Sequence, residues 1–66
     1  MVMVSKLNGE KFFINELQIE KVEIKPDTTI TMMNGHVYII KDDVNDLLDN
    51  IKKNGIKLSY SERGEL

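Results

Sequence analysis

The sequence predicts an α+β fold: a small antiparallel β-sheet of about five strands, built on two Asn-Gly hairpins, with one C-terminal amphipathic helix. Three observations carry this expectation. Asn8-Gly9 and Asn34-Gly35 each sit between runs of alternating or β-branched apolar residues, the strongest short-range pattern for a hairpin. Their surroundings repeat, residues 7–14 aligning on residues 33–40 at an offset of 26. Beyond them, Val44, Leu47, Leu48 and Ile51 recur at i, i+3, i+4 and i+7, which puts all four on one stripe of a helix.

The elements follow in chain order. Residues 1–7 and 10–14 read as the arms of the first hairpin. With Asn8 and Gly9 as the two central residues of a type I′ turn, both at positive φ, Ser5 faces Phe12, Val4 faces Phe13 and Met3 faces Ile14. Asn15 is placed to cap a short turn through Glu16, Leu17 and Gln18, because its side chain can accept from a following backbone N–H, and Ile19 then tucks beneath it.

Residues 22–25 and 29–33 form the next pair, separated by Pro26-Asp27-Thr28, with Pro26 preset for the first central position of a turn. An even loop would mix polar and apolar residues on both faces, so an odd loop is expected, pairing Ile24 with Ile30 and Val22 with Met32. Across a type I′ turn at Asn34 and Gly35, Met32 faces Val37 and Ile30 faces Ile39. The expected core face is then Val22, Ile24, Ile30, Met32, Val37 and Ile39. The opposite face carries Thr29, Thr31, Met33, His36, Tyr38 and Ile40. Its mixed character marks Thr31, Met33, Tyr38 and Ile40 as the candidate interface.

Asp42 or Asp43 caps a helix over about residues 43–53, which stops at Asn54-Gly55, where glycine can take the left-handed conformation, with Ile56 as the apolar contact that follows. Ile56, Leu58 and Tyr60 alternate with polar residues as a weak sixth strand, or as a tail that becomes one on a partner's sheet edge. Residues 61–66 read as a frayed tail, leaving one domain over residues 1–60.

Size and composition bound the function. A chain of 66 residues buries only about 60% of the surface its unfolded form exposes. It has no cysteine to staple it, so self-association into a homo-oligomer is the expected substitute. No apolar run is long enough for a membrane span, and residues 1–7 are too polar for a secretory leader, so the cytoplasm is the expected address. The net charge of −2 and a pI near 5.2 disfavour nucleic acid as a partner. Lys52, Lys53 and Lys57 cluster at a helix end, where cations complement the dipole.

No catalytic constellation is expected, and no cofactor or metal. His36, the single histidine, follows a turn and has no nucleophile or acid that spacing brings to it. Asp42, Asp43, Asn45, Asp46 and Asp49 resemble a calcium loop only in composition: the sharp-turn glycine is missing and Leu47 and Leu48 occupy ligand positions, whereas a helix cap and a polar helix face account for all five. Of the methionines, Met32 suits the core, while Met3 and Met33 suit either packing or an adaptable surface. Phe12 and Tyr38 hold equivalent repeat positions and resemble the aromatics on which small β-domains stack single-stranded bases, although without interleaved Arg and Lys.

Leu7-Asn8-Gly9, Phe12, Asn15, Ile19, the run Pro26-Asp27-Thr28-Thr29-Ile30-Thr31, Asn34-Gly35 and Tyr38 together resemble the FlbD/SwrD family of small bacterial flagellar proteins, over roughly residues 3–51. The resemblance implies a cytoplasmic non-enzyme that supports swarming and motor power, in a family that tends to be encoded beside stator genes. It implies no active-site residues, since those it shares are turns (Asn8, Gly9, Pro26, Asp27, Asn34, Gly35), a cap and core positions. The functional expectation is a protein-interaction module acting with flagellar stator or motor proteins. The alternative is a small nucleic-acid-binding regulator of motility genes.

Overall fold

A computed structural model describes residues 1–55; the sixth strand expected through Ile56, Leu58 and Tyr60, the Ile56 cap contact, Lys57 and the frayed end at 61–66 lie outside the described residues. The elements run β1 (Val2–Ser5), β2 (Lys11–Ile14), a 3-10 turn (Glu16–Gln18), β3 (Ile19–Ile24), β4 (Thr28–Met32), β5 (Val37–Ile40) and α1 (Val44–Lys53). All strand pairs are antiparallel, in a two-stranded sheet β1-β2 and a three-stranded sheet β3-β4-β5. An isolated bridge between Lys6 and Ile40 and a bond from Lys41 N–H to the Ser5 carbonyl (2.8 Å) join the end of one sheet to the other.

Both Asn-Gly pairs sit in hairpin loops, but of a different type from the one expected. Gly9 and Gly35 have φ of 92° and 94°, and no non-glycine residue has positive φ, so Asn8 and Asn34 are not in the left-handed region a type I′ turn requires. Each loop instead has three residues, with a type I turn followed by the left-handed glycine. In the first, Gly9 N–H donates to Lys6 O (2.8 Å) and Lys6 N–H to Glu10 O (2.7 Å); in the second, Gly35 N–H donates to Met32 O (2.9 Å) and Met32 N–H to His36 O (2.8 Å). The asparagines work through their side chains: Asn8 Oδ1 accepts from Glu10 N–H (2.9 Å) and Asn34 Oδ1 from His36 N–H (3.0 Å). The sequence repeat is thus matched bond for bond. Gly35→Val is expected to cost about 2 kcal/mol, because a β-branched side chain is strained at positive φ. Since a Cβ there would meet nothing within 4 Å, the loss is purely conformational and should appear as a lowered melting temperature with no change in the folded spectrum.

The extra loop residue moves each register by one, and a one-residue slip turns every side chain of a strand to the other face. Val4 faces Phe12 and Val2 faces Ile14, gathering on one side the residues that the two-residue turn had split. In the second hairpin Thr31 faces Val37, Ile30 faces Tyr38 and Thr28 faces Ile40. The expected assignment of β5 is therefore inverted: Ile40 is 1% exposed and Tyr38 packs against the core, whereas Val37 and Ile39 point outward. Ile40 cannot belong to a surface patch, and Tyr38 lies on the face opposite Thr31. The loop between β3 and β4 is odd, as expected, but one residue pair tighter, with Ile24 opposite Thr28 and Val22 opposite Ile30. Parity is kept, so Val22 still packs on the core, while Ile24 at the strand end is exposed.

The core is Val2, Val4, Ile14, Ile30, Met32, Ile40, Leu47 and Ile51, with Phe12, Ile19, Val22, Tyr38 and Leu48 packed around it. Leu47 and Ile51, four residues apart on its apolar stripe, are the helix's buried contribution. Asp43 caps α1 by accepting from Asn45 N–H (2.9 Å), and Gly55, at φ 81°, terminates it. The neighbouring Asp42 is used across the fold, where its Oδ1 accepts from Ser5 N–H (2.7 Å) and its carbonyl from the buried Thr28 hydroxyl (2.8 Å).

Candidate functional site

The register places an apolar cleft where the two sheets diverge beyond the Lys6–Ile40 bridge. Leu7 from the first loop, Phe12 from β2, and Val37, Tyr38 and Ile39 from β5 line it with the Lys6 side chain, around a volume of about 370 Å³. Val37 is 56% exposed, Ile39 49% and Leu7 54%. Val37 and Ile39 are placed outward by strand alternation, since Tyr38 and Ile40 take the core side.

At its floor the repeat-related Phe12 and Tyr38 meet with ring centroids 5.3 Å apart and planes tilted by 49°. Lys6 Nζ lies 5.7 Å from the Phe12 centroid and 3.5 Å from the Glu10 carboxylate, and His36 stands edge-on to Tyr38 at 6.3 Å. The aromatics on which a base could stack thus spend much of their surface on each other and on the core. The arrangement offers an apolar contact surface with Lys6 at its rim.

Thr31 lies on the outer face with Val37 and Ile39, half-buried, and Met33, 64% exposed, opens the second hairpin loop. Tyr38 belongs to the floor of the cleft and Ile40 to the core, so the four expected interface residues do not form one surface. Pro26 and Asp27 occupy the loop between β3 and β4, where Asp27 O accepts from Lys25 N–H (2.9 Å) and from the Thr29 hydroxyl (3.0 Å). A second apolar surface is formed by Met3, expected to suit packing or an adaptable surface, and its cross-strand partner Phe13, both of which point outward. Among the described residues there is no group of three or more His, Asp or Glu side chains able to hold a metal ion, and no helix long and apolar enough to cross a membrane.

One polar cluster escaped the sequence reading. Glu16, in the 3-10 turn that Asn15 caps by accepting from Leu17 N–H (3.0 Å), is 4% exposed. Its Oε1 lies 2.9 Å from the Met1 ammonium, and its Oε2 accepts from Asn54 Nδ2 at 2.9 Å. Asn54 Nδ2 also donates to Met1 O (2.9 Å). The ammonium and the Asn54 amide favour the charged carboxylate and hold Glu16 down at about 2. The cluster ties both ends of the described chain together, and no local pattern announces a pairing across 38 residues.

The sequence model of FlbD, described as "Flagellar and Swarming motility proteins", matches residues 1–57. No curated protein and no solved structure matches the chain. With nearly all of its length covered, and the two hairpins and the helix in place, the chain belongs to the FlbD family of flagellar and swarming motility proteins.

Proposed function

We propose that this motility protein is a cytoplasmic, non-enzymatic protein-interaction module that supports flagellar motor or stator function during swarming, and that it works as a homo-oligomer. The observation behind the interaction reading is the outward apolar face at the diverging sheets, where Leu7, Val37 and Ile39 are each about half exposed beside an aromatic floor. An exposed apolar patch on so small a chain is costly unless something covers it. Lys6, the one cation at its rim among the described residues, already faces Glu10, which suits an apolar protein surface better than a phosphate backbone.

The test is a Val37→Asp, Ile39→Asp double variant. Both side chains point away from the core, so the purified variant should melt within a few degrees of the parent. In cells whose only copy is the variant, swarming should be lost, along with capture of motor components by the tagged protein. Normal swarming with a normally folded variant would remove this face as the working surface.

A further inference from the structure

We infer that the outer edge of β3 is a self-pairing edge, at which a second copy of the chain adds antiparallel about a two-fold axis through Val22. This deepens the homo-oligomer part of the preceding reading. It starts from hydrogen-bond parity. Lys25 N–H donates to Asp27 O (2.9 Å), so Lys25 and Asp27 are a bonded pair, and bonded and non-bonded pairs alternate along an antiparallel ladder. Glu23–Thr29 and Lys21–Thr31 are then bonded pairs, while Val22–Ile30 is not. Independently, the Met32–His36 bond makes Ile30–Tyr38 a bonded pair, which turns Ile30's backbone groups toward β5 and away from Val22. Both routes leave the N–H and C=O of Val22 aimed out of the sheet, on an edge that no strand pairs among the described residues.

The side chains on this edge are self-complementary. With Val22 opposite Val22 of the second copy, Lys21 of each copy stands opposite Glu23 of the other, on the outer face, twice over. Within one chain Glu23 already lies between Lys21 (3.9 Å) and Lys25 (3.3 Å), so the edge carries one carboxylate among cations rather than a block of one sign. Parallel pairing in register would set like charges against each other. Ile24, 65% exposed, stands at the end of the paired stretch opposite the second copy's Glu20 and gains a diagonal apolar neighbour in its Val22. The bulge between Ile19 and Lys21 limits regular pairing about this axis to residues 21–23, the stretch bearing these charges. At β2, the other edge that no strand pairs among the described residues, the same operation about Phe13 would set Phe12 against Ile14 and Lys11 against Asn15, with no complementary charges.

Sedimentation equilibrium on the full chain tests the inference, with thermal melts as the folding control. The parent should be a dimer. Lys21→Glu and Glu23→Lys should each weaken dimerisation by about tenfold or more, since each change places like charges together at two symmetric points. The double variant Lys21→Glu, Glu23→Lys should restore it, an outcome that a merely structural role for either residue would not produce. Val22→Pro should abolish dimerisation while leaving a folded monomer, because the N–H it removes is not used within the chain. A monomeric parent at high micromolar concentration, unchanged mass in either single variant, or no recovery in the double variant would overturn the inference. None of these variants touches Val37 or Ile39, so the swarming test stands or falls separately.

Discussion

Ile40→Lys should leave the chain unfolded at 25 °C, while Ile39→Lys, one residue away, should leave it folded. Ile40 is 1% exposed, closes β5 at the bridge to Lys6, and shares the core with Ile30, Leu47 and Ile51. Replacing it forfeits about 1.5–3 kcal/mol of apolar burial. An uncompensated charge at such a site costs a further 3–5 kcal/mol or so. At roughly 0.05–0.15 kcal/mol per residue, a chain of 66 residues has only about 3–10 kcal/mol to lose. Ile39 is 49% exposed on the outer face and loses little when it becomes charged. Far-UV circular dichroism of the two variants therefore reads the register of the second hairpin directly. A folded Ile40→Lys, or an unfolded Ile39→Lys, would mean that the three-residue loop at residues 33–35 is wrong.

Glu16→Gln should lower stability by about 2 kcal/mol at neutral pH, the scale of a hydrogen bond to a charged group, since the buried side chain keeps its shape but loses its charge beside the Met1 ammonium. The pH dependence gives the sharper signature. The folded carboxyl titrates at about 2 against an ordinary value of 4.5, so its contribution is fully present above pH 4.5 and is lost as pH falls from there toward 2. Acid melts of the parent should fall steeply through that window, and those of Glu16→Gln should be flatter across it. Parallel acid limbs for the two proteins would show that the cluster at Met1, Glu16 and Asn54 does not hold in solution.

Local chemistry was legible in the sequence wherever a residue acts on its own neighbours. Asn15 and Asp43 cap because a short side-chain acceptor reaches an N–H two residues on, and Gly9, Gly35 and Gly55 hold positive φ because they lack a Cβ. The helix stripe needed only the 3.6-residue period. The internal repeat was visible as well, and it returned as two loops with the same bonds.

What the sequence left open was loop parity. An Asn-Gly pair serves a type I′ turn or a type I turn with a left-handed glycine equally well, and the choice between two and three loop residues decides which face of β5 enters the core. That choice belongs to the whole molecule: with three residues, Val2, Val4, Phe12, Ile14, Ile30, Tyr38 and Ile40 converge on Leu47 and Ile51, and no two-residue loop brings them together. The exposed face of Val37 and Ile39 follows from this packing, as does the burial of Ile40. The Glu16 cluster was equally out of reach, because its partners come from the far end of α1 and from Met1, and only the folded chain brings them within 3 Å of one carboxylate. Residue types and short periods set the elements and their caps, whereas the faces those elements present were settled by burying the most apolar surface in one shared core.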